Sequence, residues 1–200
     1  MLEIGCAYGF FLEFARECGM IARGVDIASE AVQYARDKLH VDAVQGDYLS
    51  LETGSVDVIA MWDTVEHLPR PDLFIQKAAR DLNPGGMLAM TTGDIGSINA
   101  RMRGRAWRMI HPPTHLHYFS AKTLGRLITG SGLEVVHLSR PGVSRRLHAI
   151  LYMLFAKRPK FRRAHAVLKR LLPNIAVTLN LFDIMFVVAK KPERRPEESG

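Results

Sequence analysis

Two hundred residues suffice for one domain around one core, and 48% apolar with 24% charged residues excludes a disordered or fibrous chain. Cys6 sits in a Gly-rich turn and Cys18 on an apolar stripe, so no disulfide framework is expected; the longest apolar run, near Phe186, falls short of the ~20 residues that span a bilayer, and the initial residues lack the order of a secretory signal. The net charge of +7 is uneven, because residues 140–182 hold ten Lys or Arg and no acid, leaving 17 basic against 20 acidic residues, or −3, elsewhere.

From the first residue to about Ser139, apolar runs of strand length alternate with helical periodicity, the pattern of a parallel sheet with crossover helices, so the class is α/β. Strands are predicted at Leu2–Ile4, Ile21–Asp26, Val41–Gln45, Val56–Trp62, Met87–Thr92, Leu133–Ser139 and Phe182–Ala189. Phe11, Phe14, Ala15 and Cys18 predict one core-facing helix ending at Gly19. Ile75, Ala78, Ala79 and Leu82 predict another before Asn83-Pro84-Gly85-Gly86.

Ligands of open α/β sheets bind beyond the carboxyl ends of the strands, which directs attention to four places. Glu3-Ile4-Gly5-Cys6-Ala7-Tyr8-Gly9 is a strand running into a small-residue turn that opens a helix, where free N–H groups favour a carboxylate or phosphate. The positions of a dinucleotide fingerprint are not met, since Ala7 and Phe10 stand where it needs Gly. Asp26 ends the second strand, 17 residues after Gly9, where an acid can accept both hydroxyls of a ribose; the alternative is a helix cap before Ser29. Gly46-Asp47-Tyr48 follows the third strand, with Asp47 placed to accept an amino group and Tyr48 to border a ring, or to form an ordinary turn. Trp62-Asp63-Thr64-Val65-Glu66-His67-Leu68 follows the fourth, with His67 either a base or a structural hydrogen-bond partner.

In order and spacing, LEIGCAYG, GVDI, QGDYLSL, VDVIAMWDTVEHL and LNPGGMLAMTT resemble the successive motifs of class I S-adenosylmethionine-dependent methyltransferases over residues 2–92. VEHL and PPTHLHYFS place the likeness in a branch that includes ubiquinone-pathway O-methyltransferases, and a weaker likeness continues to LNLFDIMFVVAKKP. The resemblance implies a Rossmann-like, doubly wound sheet of seven strands, the last antiparallel, and S-adenosyl-L-methionine as cofactor. By position, Glu3, Gly5, Ala7 and Gly9 would hold its methionine part, Asp26 and Ile27 the ribose, Asp47 and Tyr48 the adenine, and Trp62 and Asp63 the methionyl end. Ala7 departs from the family's Gly-x-Gly-x-Gly. The family also carries helices before its first strand, and here only four residues precede Gly5, so the natural protein is expected to begin upstream of Met1.

Residues 93–119 form a long connection read as a loop without regular structure, and His115, His117 and Tyr118 in it are expected to face the substrate. Its three histidines carry no carboxylate beside them in sequence, so no metal is expected. Arg145–Leu172 is predicted to be a basic helical insertion (about 142–175) within a single domain of residues 1–190, with residues 191–200 a disordered tail. Ala164, Val167, Leu168, Leu171 and Leu172 take one helical face; Arg162, Arg163, Lys169 and Arg170 take the other. The expected reaction is O-methylation of a small-molecule or lipid-linked acceptor with His67 as base, in the cytoplasm; the basic segment is read either as a helical lid packed on the sheet or as a peripheral contact with an anionic membrane, with nucleic acid a third partner. RNA methylation ranks below O-methylation, since no Asn-Pro-Pro-Tyr type motif follows the fourth strand, and a cofactor-binding module without activity is the non-enzyme rival.

Overall fold

The computed structural model describes residues 1–152, 155 and 159–193. The chain divides into two compact units, one of Met1–Ser139 with Asp183–Gly200, the other of Arg140–Phe182.

The first unit is built on seven strands: β1 (Leu2–Ile4), β2 (Arg23–Asp26), β3 (Asp42–Gln45), β4 (Val56–Trp62), β5 (Leu82–Gly93), β6 (Glu134–Ser139) and, after the second unit, β9 (Ile184–Lys190). Their order is β3-β2-β1-β4-β5-β9-β6, with β1 to β5 parallel and β9 antiparallel to both its neighbours. All three residues of β1 are buried, as a central strand covered on both faces requires. Helices α1 (Phe10–Glu17), α2 (Ser29–Leu39), α3 (Pro71–Asp81), α4 (Ile98–Arg103) and α5 (Ala121–Gly130) complete the unit. Ile75 and Ala78 of α3 and Leu124 and Ile128 of α5 join Leu2, Ile59, Leu88 and Met185 in the main core, while a smaller cluster links Leu12 of α1 to Val32 and Ala35 of α2.

Several boundaries differ from expectation. The second strand starts at Arg23 because its first partner, Leu2, pairs with that residue, and Ile21 is 93% exposed. The fifth strand extends back through Asn83–Gly86, with an irregular register between Val56 and Val58 of β4. The last strand starts two residues late because Phe182 takes a left-handed backbone (φ 53°). In α1 the buried residues are Leu12 and Ala15, whereas Phe14 and Cys18 are exposed. The helix packs closely on small residues, Cys6, Ala35 and Ala43, and Phe11 turns instead to the Trp62 ring, 5.0 Å away. The connection read as unstructured contains α4 and a 3-10 turn, Gly104–Ala106.

Asp183, buried at the start of the last strand, anchors that connection. It accepts hydrogen bonds from Asn99 (2.7 Å), the Trp107 indole (2.8 Å) and Arg108 (2.9 Å). Burial opposes ionisation of Asp183, but these three donors hold its carboxyl below the usual carboxylate range.

The second unit contains β7 (Val143–Arg146), α6 (Leu147–Leu151), α7 (Arg162–Leu171) and β8 (Ala176–Leu179). The insertion is therefore not helical throughout, because β7 and β8 pair antiparallel and close it at its base. Met153, Leu154 and residues 156–158 of the expected insertion, and 194–200 of the expected tail, lie outside the described residues.

Candidate functional site

The carboxyl ends of β1 to β4 converge on one cavity of about 600 Å³. Its floor is the turn after β1, which the sequence bends through three left-handed positions: Gly5 (φ 77°), Ala7 (φ 45°) and Gly9 (φ 78°). Two of these must be Gly on space alone. A Cβ on Gly5 would lie 2.7 Å from the Thr64 side chain, and one on Gly9 would lie 2.8 Å from Ala35. Ala7 tolerates the same backbone region at a cost of about 1–2 kcal/mol.

The turn is tied to the second strand. The Ala7 N–H donates to one carboxylate oxygen of Asp26 (2.8 Å) and the Ala28 N–H to the other (2.8 Å). Asp26 thus fixes the turn and its own loop, and each oxygen retains capacity for a further donor from the cavity. Asp47 lines the cavity while accepting from the Leu49 N–H (3.0 Å), capping the 3-10 turn Tyr48–Ser50. Tyr48 also lines it, but its side chain is buried and its hydroxyl donates to Asp81 (2.8 Å), so it borders the cavity as part of the core. Burial and the Asp81 carboxylate push the Tyr48 phenol far above its ordinary range; burial opposes ionisation of Asp81 too, yet Lys77, Thr53 and Tyr48 donate to it and keep its carboxyl low.

Gly5, Ala7, Asp26, Ile27, Asp47, Tyr48, Trp62, Asp63 and His67 all line this cavity. Glu3 and Gly9 do not; both are buried, Glu3 on β1 and Gly9 at the end of the turn. Burial, then repulsion from Asp26, pushes the Glu3 carboxyl up to about 7, and burial with the charges of Glu3 and Asp26 pushes the Cys6 thiol up to about 12. Thr64 and Leu68, which belong to the segment after the fourth strand, complete one wall with Pro69, Arg70 and Phe74, three residues that the sequence motifs leave out. Pro69 directly follows the VEHL motif, which is the available signal.

At the end of β4, Asp63 adopts a left-handed backbone (φ 47°) held by Thr91, whose hydroxyl donates to the Asp63 carboxylate (3.0 Å). The Trp62 indole nitrogen is buried and has no hydrogen-bond partner among the described residues. The 3-10 turn Val65–His67 then carries His67 to the cavity. Its Nδ1 lies 2.7 Å from the Thr114 carbonyl oxygen. A carbonyl can only accept, so Nδ1 carries a proton, and in the neutral ring Nε2 is the nitrogen that holds the lone pair.

The connection after β5 docks on this turn through backbone bonds. The N–H groups of Leu116 (2.9 Å) and His117 (3.1 Å) donate to the Glu66 carbonyl. His115, His117 and Tyr118 line a separate small recess with Glu66, Thr92, Trp107 and Met109, rather than the large cavity. His115 nevertheless stacks edge-on to His67, with ring centroids 4.6 Å apart. Burial, then the neighbouring His67, lowers the His115 pKa. Glu66 is buried, and burial pushes its carboxyl up. The fold thus supplies the carboxylate that the sequence did not show beside the histidines. Donor atoms of Glu66, His67 and His115 all lie within 4.8 Å of one another, a nitrogen and oxygen set suited to a divalent cation.

Comparison with known proteins agrees with this geometry. Residues 1–138 match the family model described as a methyltransferase domain. A ubiquinone biosynthesis O-methyltransferase of Xanthomonas oryzae pv. oryzae is 33% identical over 100 residues, covering 46% of this chain and 42% of that protein. One of Agrobacterium fabrum is 27% identical over 187 residues, covering 80% of this chain and 72% of that protein. The chain thus spans less than half the length of the first of these relatives. Among solved structures, one described as a putative methyltransferase from Bacillus halodurans superposes with a TM-score of 0.65 at 14% identity, over 96% of this chain and 91% of that one, a likeness of fold.

Proposed function

We propose, from the premise that this chain belongs to the methyltransferase domain family matched over residues 1–138, that it methylates a hydroxyl of a small-molecule or lipid-linked acceptor, with His67 removing the proton. The family and fold make S-adenosyl-L-methionine the cofactor. The cavity suits it in size and in the Asp26 carboxylate on its lining, whose two oxygens each keep capacity for a further donor.

When bound, the cofactor supplies a methyl already activated on a positively charged sulfur. The chain then has to hold, orient and deprotonate. Asp26 would take the ribose hydroxyls, Asp47 the adenine amino group, and the N–H groups of the Gly5–Gly9 turn the methionine carboxylate. His67 carries the argument for a hydroxyl acceptor: Nδ1 is committed to the Thr114 carbonyl, and Nε2 is left as a neutral base at the cavity wall. The cofactor would supply the methyl to the acceptor oxygen, and His67 Nε2 would take the proton that this oxygen gives up. The rest of the barrier falls through in-line positioning.

A second reading is favoured by the clustering of Glu66, His67 and His115. A divalent cation held there would lower the hydroxyl pKa of a bound acceptor instead. Dialysis against a chelator separates the two readings: the base reading expects activity to persist, and the cation reading expects it to vanish and return on adding metal.

The work site proposed is the cytoplasm; among the described residues no helix is long and apolar enough to cross a membrane. The test is transfer of labelled methyl from cofactor into a small-metabolite pool, a lipid extract and an RNA pool. Label on a hydroxyl of a small or lipid-linked molecule supports the proposal. Label in RNA alone, or in none of the pools, overturns it.

A further inference from the structure

The unit formed by Arg140–Phe182 presents an unusual surface. Helix α7 is sharply amphipathic, yet its apolar face is not its buried face. Val167 is 55% and Leu171 72% exposed, and Leu172 and Ile175 just beyond are exposed as well. Lys160, Arg163, Lys169 and Arg170 are exposed on the same short stretch. A helix whose apolar side packs on its own domain would bury those residues, as α3 and α5 do.

The charge identifies the occupant. Ten cations without one anion in 43 residues select an anionic partner and disfavour a second copy of the same unit, which would set ten cations against ten. Single-stranded nucleic acid is anionic too and is gripped by aromatic stacking beside the cations; the unit exposes Tyr152, Phe161 and Phe182, but they are spread along it, whereas the exposed face of α7 that lies among the cations is aliphatic. Branched aliphatic side chains flanked by lysine and arginine match the boundary between acyl chains and charged headgroups. From this we infer that α7 and the exposed residues after it dock the protein on an anionic bilayer surface. The inference stands on this unit's own residues and does not depend on which acceptor is methylated.

Each basic side chain near an anionic surface strengthens binding about fivefold, and burying one leucine in the acyl boundary about tenfold or more. The experiment is co-sedimentation of the chain, cleared of aggregates, with vesicles of phosphatidylcholine alone or mixed with phosphatidylglycerol, at low and high salt. Binding should require the anionic lipid and weaken with salt. K169A/R170A should lose roughly thirtyfold in affinity, and L171D about tenfold or more. Leu171 is exposed, so L171D should leave thermal unfolding unchanged, which separates docking from misfolding. Equal binding to neutral vesicles, full binding by L171D, or tighter binding to RNA under the same conditions would each overturn the inference.

Discussion

The half of the cavity at the ends of β1 to β3, where we propose that the cofactor binds, and the half around His67, where we propose that the acceptor binds, are assembled in different ways. The cofactor half is made of strand ends and the turns immediately after them, and its key contact joins Ala7 to Asp26 across neighbouring parallel strands. The acceptor half depends on chain segments far apart in sequence, with His67 oriented by Thr114, 47 residues on, and the turn around it held by Leu116 and His117. A half built from backbone at fixed strand ends serves one unvarying ligand. A half built by docking a long connection can be reshaped without disturbing the sheet.

That contrast can be broken by experiment. His67→Ala should lower turnover by ~10²–10⁴ while S-adenosylhomocysteine binding, read by calorimetry, stays close to wild type. Loss of both together would mean that the halves are not separate. Asp26→Ala should weaken that binding by about tenfold to more than a hundredfold, the value of hydrogen bonds to a charged partner, roughly 1.5–3 kcal/mol. Wild-type affinity in this variant would remove Asp26 from the site.

A milder effect lies in pH. Glu3 titrates near 7 in the folded chain against 4.5 ordinarily, so between those values the folded state keeps a proton that the unfolded chain has lost. Its contribution to stability is greatest below 4.5, falls as pH rises towards 7 and is level above that. Urea unfolding across this window should show the decline in the wild type and a flatter profile in Glu3→Gln. Parallel profiles would mean that Glu3 is not neutral in the folded chain. The smallest change expected is from Ala7→Gly. Relief of the left-handed backbone is worth about 1–2 kcal/mol, offset by the extra freedom Gly brings to the unfolded chain, roughly 0.5–1 kcal/mol. A gain of a few degrees in Tm should result, with cofactor affinity unchanged; a fall in Tm would show that the turn is unstrained with Ala.

Sequence made the first half legible because its information is local. A strand, a small-residue turn and an acid at the end of the next strand follow one another within 26 residues, and topology places them together once the parallel order is known. Tyr48 illustrates the limit: its position borders the cavity as expected, but its hydroxyl is claimed by Asp81, 33 residues later. Glu66 illustrates it again, since neither its burial nor its approach to His115 is written in the motif that contains it. The exposed Phe14 and the buried Leu12 of α1 reflect the same gap, because periodicity marks an apolar stripe without saying which part of it meets small residues on the sheet.

Asp183 gives the architecture one more property. Ser139, where the first unit breaks off, lies on β6 and pairs with Phe186 of the antiparallel last strand, so the two ends of the break are neighbours. An ordinary hairpin turn would bridge them. Asp183 stands immediately inside the second end and is pinned by Asn99, Trp107 and Arg108, none of them from the inserted unit. The joint therefore works as a socket: the strands on either side of the splice keep their pairing, and Asp183 keeps its hold on the connection after β5 through partners that the inserted unit does not supply.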